Sequence, residues 1–105
     1  MRRLALISAL LLSACQGGVT VTGKLPEGVS CTLTLNLTDH KRSLAKFPQS
    51  RQIAGAFKAT FSVEPKDHKY LVTVQCGAKI AASREFEYPA DANPTKPLSI
   101  GAVEL

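Results

Sequence analysis

The sequence lacks several features that would point to a specific chemistry. It has no tryptophan, one methionine and only two histidines among its 105 residues. It contains no Cys-x-x-Cys pair and no serine in a Gly-x-Ser-x-Gly turn, which argues against a thioredoxin-type redox site and a hydrolase nucleophile. No apolar run reaches the length of about 18 residues that a transmembrane helix needs. Because these catalytic motifs are missing, we expect the protein not to be an enzyme.

The charged residues show no concentration of one sign along the chain. Lysine and arginine number 13, against 8 aspartate and glutamate residues, which gives a net charge of +5. The basic residues are scattered singly, and no basic run is interleaved with aromatic side chains as a nucleic-acid-binding surface would require. We expect no nucleic-acid partner.

No part of the chain after the first 15 residues shows helical periodicity over three turns. Apolar and polar residues alternate instead, most clearly in residues 31–38, where cysteine or leucine alternates with threonine or asparagine. Turn residues separate six or seven such segments. The pattern predicts an all-β fold, a small antiparallel Greek-key β-sandwich. We also expect a hairpin that joins the segments on either side of the turn at Pro65.

The N-terminus has the layout of an export leader. Arg2 and Arg3 precede an apolar run over residues 4–12, and small residues follow it. As a helix this run would rise only about 14 Å, which is too short to span a hydrocarbon core about 30 Å thick. The last four residues of this region, Leu12-Ser13-Ala14-Cys15, resemble the lipobox of bacterial lipoproteins.

This resemblance implies that residues 1–14 are a signal peptide and that Cys15 becomes the lipidated first residue of the mature chain. Its acyl chains, palmitate among them, would attach the protein permanently to a membrane. In this family an aspartate after the cysteine favours retention at the inner membrane. Gln16 stands there instead, so we expect the outer membrane, with the protein facing the periplasm. An ordinary cleaved secretory leader is the alternative.

The rest of the chain then divides into two parts. Residues 15–18 are expected to be the lipidated N-terminus and a short flexible linker, because Gly17 and Gly18 follow the polar Gln16. Residues 19–105 are expected to form one β-sandwich domain.

Two cysteines remain after Cys15 is assigned to the lipid. Cys31 and Cys76 lie on the apolar faces of their predicted strands, so both side chains point into the same core. An oxidising compartment favours a disulfide between them. Two reduced, buried cysteines acting as small apolar side chains are the alternative.

The alternation stops between Asp39 and Gln52, in the most basic segment of the mature chain. We expect this segment to hold a short edge strand near residues 51–53 or a functional loop. Its basic side chains are the candidate partner-binding residues: Lys41, Arg42, Lys46 and Arg51.

An Asp-His-Lys triplet occurs twice, at Asp39-His40 and at Asp67-His68. Two Asp-His pairs could supply ligands to a metal ion if their loops converged. Aspartate and histidine are also frequent in turns, so we expect neither a metal site nor a cofactor.

Several short segments resemble the transthyretin-like and carboxypeptidase-regulatory-like domains. They are a Val-x-Gly strand at 21–23, a Gly-x-Phe strand at 55–57 and a Tyr-x-Val-x-Val strand at 70–74. Lipid-anchored sandwiches of this kind serve bacteria as accessory parts of secretion and envelope machinery. The resemblance implies a binding or assembly module for a partner protein in the envelope. A small-ligand or metal-binding lipoprotein, or an inhibitor of a periplasmic enzyme, is the alternative.

Overall fold

The computed structural model describes residues 17–105, and this part of the chain is built from seven β-strands. They are β1 (Gly17–Lys24), β2 (Ser30–Leu37), β3 (Gln49–Ala54), β4 (Ala56–Val63), β5 (His68–Cys76), β6 (Lys79–Tyr88) and β7 (Leu98–Ala102). Within residues 17–105 no helix is long and apolar enough to cross a membrane. The predicted all-β sandwich is confirmed.

The strands form two sheets, with the orders β4-β1-β7 and β3-β2-β5-β6. All neighbours are antiparallel except β1 and β7, which run parallel. That pair departs from the predicted, fully antiparallel arrangement. In β2 the side chains of Cys31, Leu33 and Leu35 are buried, while the threonines between them are only partly covered. The period of two therefore separates the core face from the outer face, as expected for a half-buried strand.

The predicted hairpin between β4 and β5 is wrong. Strand β4 pairs with β1 in one sheet, whereas β5 lies between β2 and β6 in the other. Each strand has one apolar face, and these faces bury more surface by packing face to face across the core than by lying side by side. The connection at Pro65 therefore crosses from one sheet to the other, with Glu64 before it and His68 after it.

The predicted linker over residues 15–18 is also wrong in its second half. Gly17 and Gly18 are the first residues of β1 and pair with Val63 and Ser62. A Cβ atom on Gly17 would lie 2.8 Å from the hydroxyl of Tyr88 and 2.9 Å from the carbonyl oxygen of Val63. Glycine is needed at position 17 because the chain passes too close to its neighbours for a side chain. The predicted signal peptide and the predicted lipidation site, Cys15, lie outside the described residues.

The predicted disulfide is confirmed. Cys31 and Cys76, 45 residues apart in the sequence, are bonded, and their Cα atoms are 4.5 Å apart. They lie on β2 and β5, which are neighbours in the same sheet, so the bond joins adjacent strands instead of crossing the core.

The sandwich has two ends of different construction. We call one the loop end: it contains the start of β1, the end of β2, the start of β5 and the end of β6. We call the other the disulfide end: it contains Cys31 and Cys76 and the tight turns at Gly28, Gly55 and Gly77. Each of these glycines has a positive φ, a conformation that other residues adopt only at a cost.

Candidate functional site

The loop end carries an irregular connection between β2 and β3, residues 38–48, which we call the docking loop. The side chains of Lys41, Arg42 and Lys46 are exposed on it. Leu44 lies between them and is 86% exposed, more than any other large apolar residue in the described part of the chain. The loop thus presents an apolar side chain flanked by basic ones.

Asp39 fastens the first part of the docking loop to β5. Its carboxylate accepts hydrogen bonds from the amides of Lys69, at 2.8 Å, and Lys41, at 3.1 Å, and lies 3.1 Å from Nδ1 of His68. Burial raises the pKa of Asp39, but the hydrogen bonds from both amides and from His68 outweigh this effect. The pKa of Asp39 therefore lies below its ordinary value, and the carboxylate is charged at neutral pH.

Glu64 fastens the middle of the loop. Its Oε2 atom accepts the amide hydrogen of Leu44 at 2.9 Å, and its Oε1 atom lies 3.2 Å from Nε2 of His68. These two hydrogen bonds hold the pKa of Glu64 below its ordinary value, despite the opposing effect of burial. Only 4% of the Glu64 side chain is exposed.

His68 lies between the two carboxylates, and its side chain is 2% exposed. Each ring nitrogen faces an oxygen acceptor, Asp39 at Nδ1 and Glu64 at Nε2. The imidazole therefore bridges the two carboxylates. We call these three side chains the ionic clamp, since they join the docking loop, the crossover before β5 and β5 itself.

An aromatic contact holds the last part of the docking loop. The ring of Phe47 lies 5.5 Å from that of Tyr70, and Tyr70 stacks on Phe86 at 5.4 Å. The Tyr70 hydroxyl is buried without a hydrogen-bond partner in residues 17–105, and burial raises its pKa. The loop is therefore fastened at its start, middle and end, while Leu44 and the basic side chains project outward.

The four predicted partner-binding residues do not form one group. Lys41, Arg42 and Lys46 lie on the docking loop, but Arg51 lies on β3, with its guanidinium carbon 5.0 Å from the centre of the Phe61 ring. The Arg51 guanidinium group therefore makes a cation–π contact with the Phe61 ring. The predicted edge strand is confirmed, because β3 is at the edge of its sheet.

The two Asp-His triplets do converge, although not as separate pairs. Asp39 of the first triplet contacts His68 of the second, while His40 and Asp67 are exposed. Within residues 17–105 no group of three or more His, Cys, Asp or Glu side chains is arranged to hold a metal ion. Glu64 was not among the residues that the sequence pattern singled out. Its only signal was its position next to the crossover, four residues before His68.

An open groove of about 540 Å³ lies beside the ionic clamp. Its lining contains the two lysines Lys41 and Lys69, three acidic residues and His68, together with Tyr88 and Pro89. The acidic residues are Asp39, Asp67 and Glu87.

The two-sheet architecture is the one that the transthyretin-like resemblance implies, but unrelated proteins share it, so membership in that family stays a prediction. The lipobox-like residues 12–15, on which the lipoprotein prediction depends, lie outside the described residues. No protein family, no curated protein and no solved structure matches this chain.

Proposed function

We propose that the protein is a lipid-anchored component of the bacterial envelope and that its β-sandwich is a binding or assembly module without catalytic activity. One contact surface of this module is the docking loop, with Leu44 at the centre and Lys41, Arg42 and Lys46 around it. The ionic clamp is the observation that supports this proposal. The resemblance to lipid-anchored sandwiches implies that the module as a whole serves a partner protein of the secretion or envelope machinery.

The clamp supports a binding role because it fastens a part of the chain that contributes little to the core. Burying charged groups costs free energy even when they are paired. In this protein the carboxylates of Asp39 and Glu64, which both contact His68, hold a surface loop in one conformation. A loop that is ordered before binding loses less conformational entropy when it meets a partner. Such an arrangement is more useful to a recognition surface than to a simple connection.

Mass spectrometry of the protein purified from its native membrane tests the anchor. We expect a chain that begins at Cys15 and carries the added mass of its acyl chains. An intact leader, or an unmodified Cys15 at the N-terminus, would contradict lipid attachment. The Cys31–Cys76 disulfide is compatible with export, because such bonds persist in oxidising compartments.

Site-specific crosslinking in the native envelope tests the docking loop. A photoreactive amino acid replaces Leu44, whose side chain is almost fully exposed, so the core is not disturbed. The control places the same group at Glu27, which is exposed in a turn at the disulfide end. We expect crosslinked products from position 44 that position 27 does not give. Equal products from both positions would show that the docking loop is not the contact surface.

A further inference from the structure

We infer that the docking loop contacts the headgroup surface of the membrane in which the protein is anchored. This inference rests on the lipid attachment at Cys15 proposed above, and it names the partner of the docking loop. It follows from the place where β1 begins and from the side chains found there.

The start of β1 adjoins the docking loop. Gly17 pairs with Val63, and the next residue, Glu64, accepts the hydrogen bond from the Leu44 amide. Residue 16 alone separates Gly17 from Cys15. Since an extended chain spans at most about 3.6 Å per residue, two residue steps allow a lipid attached at position 15 a tether of no more than about 7 Å to Gly17. An acylated Cys15 therefore holds the loop end against the bilayer.

The spacing is short compared with the membrane interface. The polar headgroup layer adds roughly 5 to 8 Å on each side of the hydrocarbon core. A tether of about 7 Å leaves no room for a folded protein between the loop end and the headgroups. For this reason the bilayer fits the docking loop better than a protein partner does. A protein partner would have to approach from the side or from the disulfide end.

The charges of the loop end suit an anionic surface. Exposed basic side chains project from the docking loop: Lys41, Arg42 and Lys46. Lys66, in the crossover next to it, lies 3.9 Å from Oε1 of Glu64 and is paired with that carboxylate. Asp39 and Glu64, the acidic residues closest to them, are turned inward onto His68. Asp67 remains exposed in the crossover. The outward charge of this region is thus mainly positive, and anionic headgroups attract such surfaces over a Debye length.

Leu44 gives the same region an apolar contact. Basic side chains that surround an exposed apolar one are the combination found on segments that lie in the membrane interface. Glu64 of the ionic clamp accepts the amide hydrogen of Leu44 and so fixes its backbone. The Leu44 side chain is exposed and points away from the core. We therefore expect Leu44 to enter the boundary between headgroups and acyl chains, with Arg42 and Lys46 on lipid phosphates.

Depth-dependent quenching of a fluorophore tests this contact. The lipidated protein carries Leu44→Cys, and a thiol-reactive fluorophore labels this residue, since the acyl group and the disulfide occupy the other three cysteines. The protein is reconstituted in phosphatidylcholine vesicles with phosphatidylglycerol, and a second lipid carries a quencher near the top of its acyl chain. The matched control is Glu27→Cys at the disulfide end.

We expect the label at position 44 to be quenched at least several-fold more strongly than the label at position 27. Arg42→Gln with Lys46→Gln should lower the quenching at position 44, whereas Lys24→Gln with Lys79→Gln, at the disulfide end, should leave it unchanged. High salt should weaken the quenching, because it screens exposed charges.

Mass spectrometry of the same sample separates the two ways of failing. Equal quenching at positions 44 and 27 in a protein with an acylated Cys15 would overturn the membrane contact alone. An unmodified Cys15 would overturn the anchor, and the membrane contact with it. Crosslinking of position 44 to a protein instead of lipid would also overturn the membrane contact, and would leave the docking loop as a site for a protein partner.

Discussion

Different interactions stabilise the two ends of the sandwich. At the disulfide end a covalent bond joins β2 to β5, and glycines with positive φ allow tight turns. At the loop end β2 is followed by the docking loop and β5 is preceded by the crossover. Three ionisable side chains, two of them buried, connect those segments. A disulfide stabilises the whole domain by restricting the unfolded chain. A network of charges and hydrogen bonds instead specifies where one loop lies.

The difference indicates a division of labour along the sandwich. The disulfide end supplies stability to a domain whose core is small. The loop end uses part of that stability to keep charged groups buried and a leucine exposed, neither of which favours folding. A change at the disulfide end should therefore affect global unfolding, and a change in the ionic clamp should affect the docking loop first.

Removal of the disulfide should have the largest effect on stability. For a closed loop of 45 residues, the chain-entropy treatment predicts that Cys31→Ala with Cys76→Ala lowers the free energy of unfolding by about 4 kcal/mol. Urea unfolding monitored by circular dichroism measures this loss. The Leu44 amide should stay protected in the molecules that remain folded. A loss below about 1 kcal/mol would contradict the assignment of global stability to this end.

Gly17→Ala should have the next largest effect. Its new methyl group would lie 2.8 Å from the Tyr88 hydroxyl and 2.9 Å from the Val63 carbonyl oxygen, so β1 or Tyr88 must move. Overpacking of this kind typically costs about 1 to 3 kcal/mol. Gly18→Ala is the matched control, because its nearest neighbour would be 3.8 Å away, an ordinary contact. Thermal unfolding of both variants checks the prediction, and equal melting temperatures would mean that Gly17 belongs to a flexible linker after all.

Glu64→Gln should change the docking loop more than the domain. Two donors, the Leu44 amide and Nε2 of His68, approach the two oxygens of the carboxylate. Glutamine has one acceptor oxygen, so its amide group must face one of these donors. We expect the Leu44 amide to exchange its hydrogen roughly tenfold faster or more, because local opening becomes easier.

Hydrogen exchange also provides the control for this variant. Core amides of β2 and β5 should exchange in Glu64→Gln as they do in the wild type, and Glu27→Gln at the disulfide end should leave the Leu44 amide unaffected. Faster exchange throughout the domain would mean that the clamp supports the whole fold and that the two ends are not independent.

Sequence analysis predicted the strands well because each strand has one buried face. The alternation in residues 31–37 and 57–63 depends only on that local property, and the structure has β2 and β4 there. The pairing of Cys31 with Cys76 could also be predicted, since the lipobox resemblance assigns Cys15 to a lipid and implies an oxidising compartment for the other two cysteines. The partners of β4 and β5 could not, because a strand with one apolar face can pack beside a neighbour or across the core with the same pattern.

The ionic clamp was outside the reach of sequence patterns. Asp39 and His68 each appeared in an Asp-His triplet, but the contact joins one residue from each triplet. Glu64 belonged to no motif, and only the crossover of the chain between sheets brings it to the Leu44 amide. Gly17 was misassigned for a related reason. Its role depends on Tyr88, 71 positions away in the sequence, and a glycine that avoids a contact looks the same as one that provides flexibility.

The smallest effect should be the loosening of the docking loop in acid. Asp39 and Glu64 have pKa values below their ordinary values of 3.8 and 4.5, so the folded state binds fewer protons than the unfolded state does. Their contribution to stability is therefore complete above the ordinary values, and it is lost as the pH falls through the lower, folded values. The Leu44 amide should lose protection in that window, after correction for the intrinsic pH dependence of exchange.

Two variants show whether this loss belongs to the clamp. Asp39→Asn removes one of the titrating carboxylates, so the protection of the Leu44 amide should depend less on pH. Asp67→Asn, in the exposed crossover, should leave this pH dependence as in the wild type. The variant without the disulfide should unfold at a lower urea concentration. Its Leu44 amide should lose protection in the same pH range as in the wild type, because Cys31 and Cys76 are not part of the ionic clamp. If this pH range changed when the disulfide was removed but not in Asp39→Asn, acid would act on global unfolding. The distinction between the two ends would then be wrong.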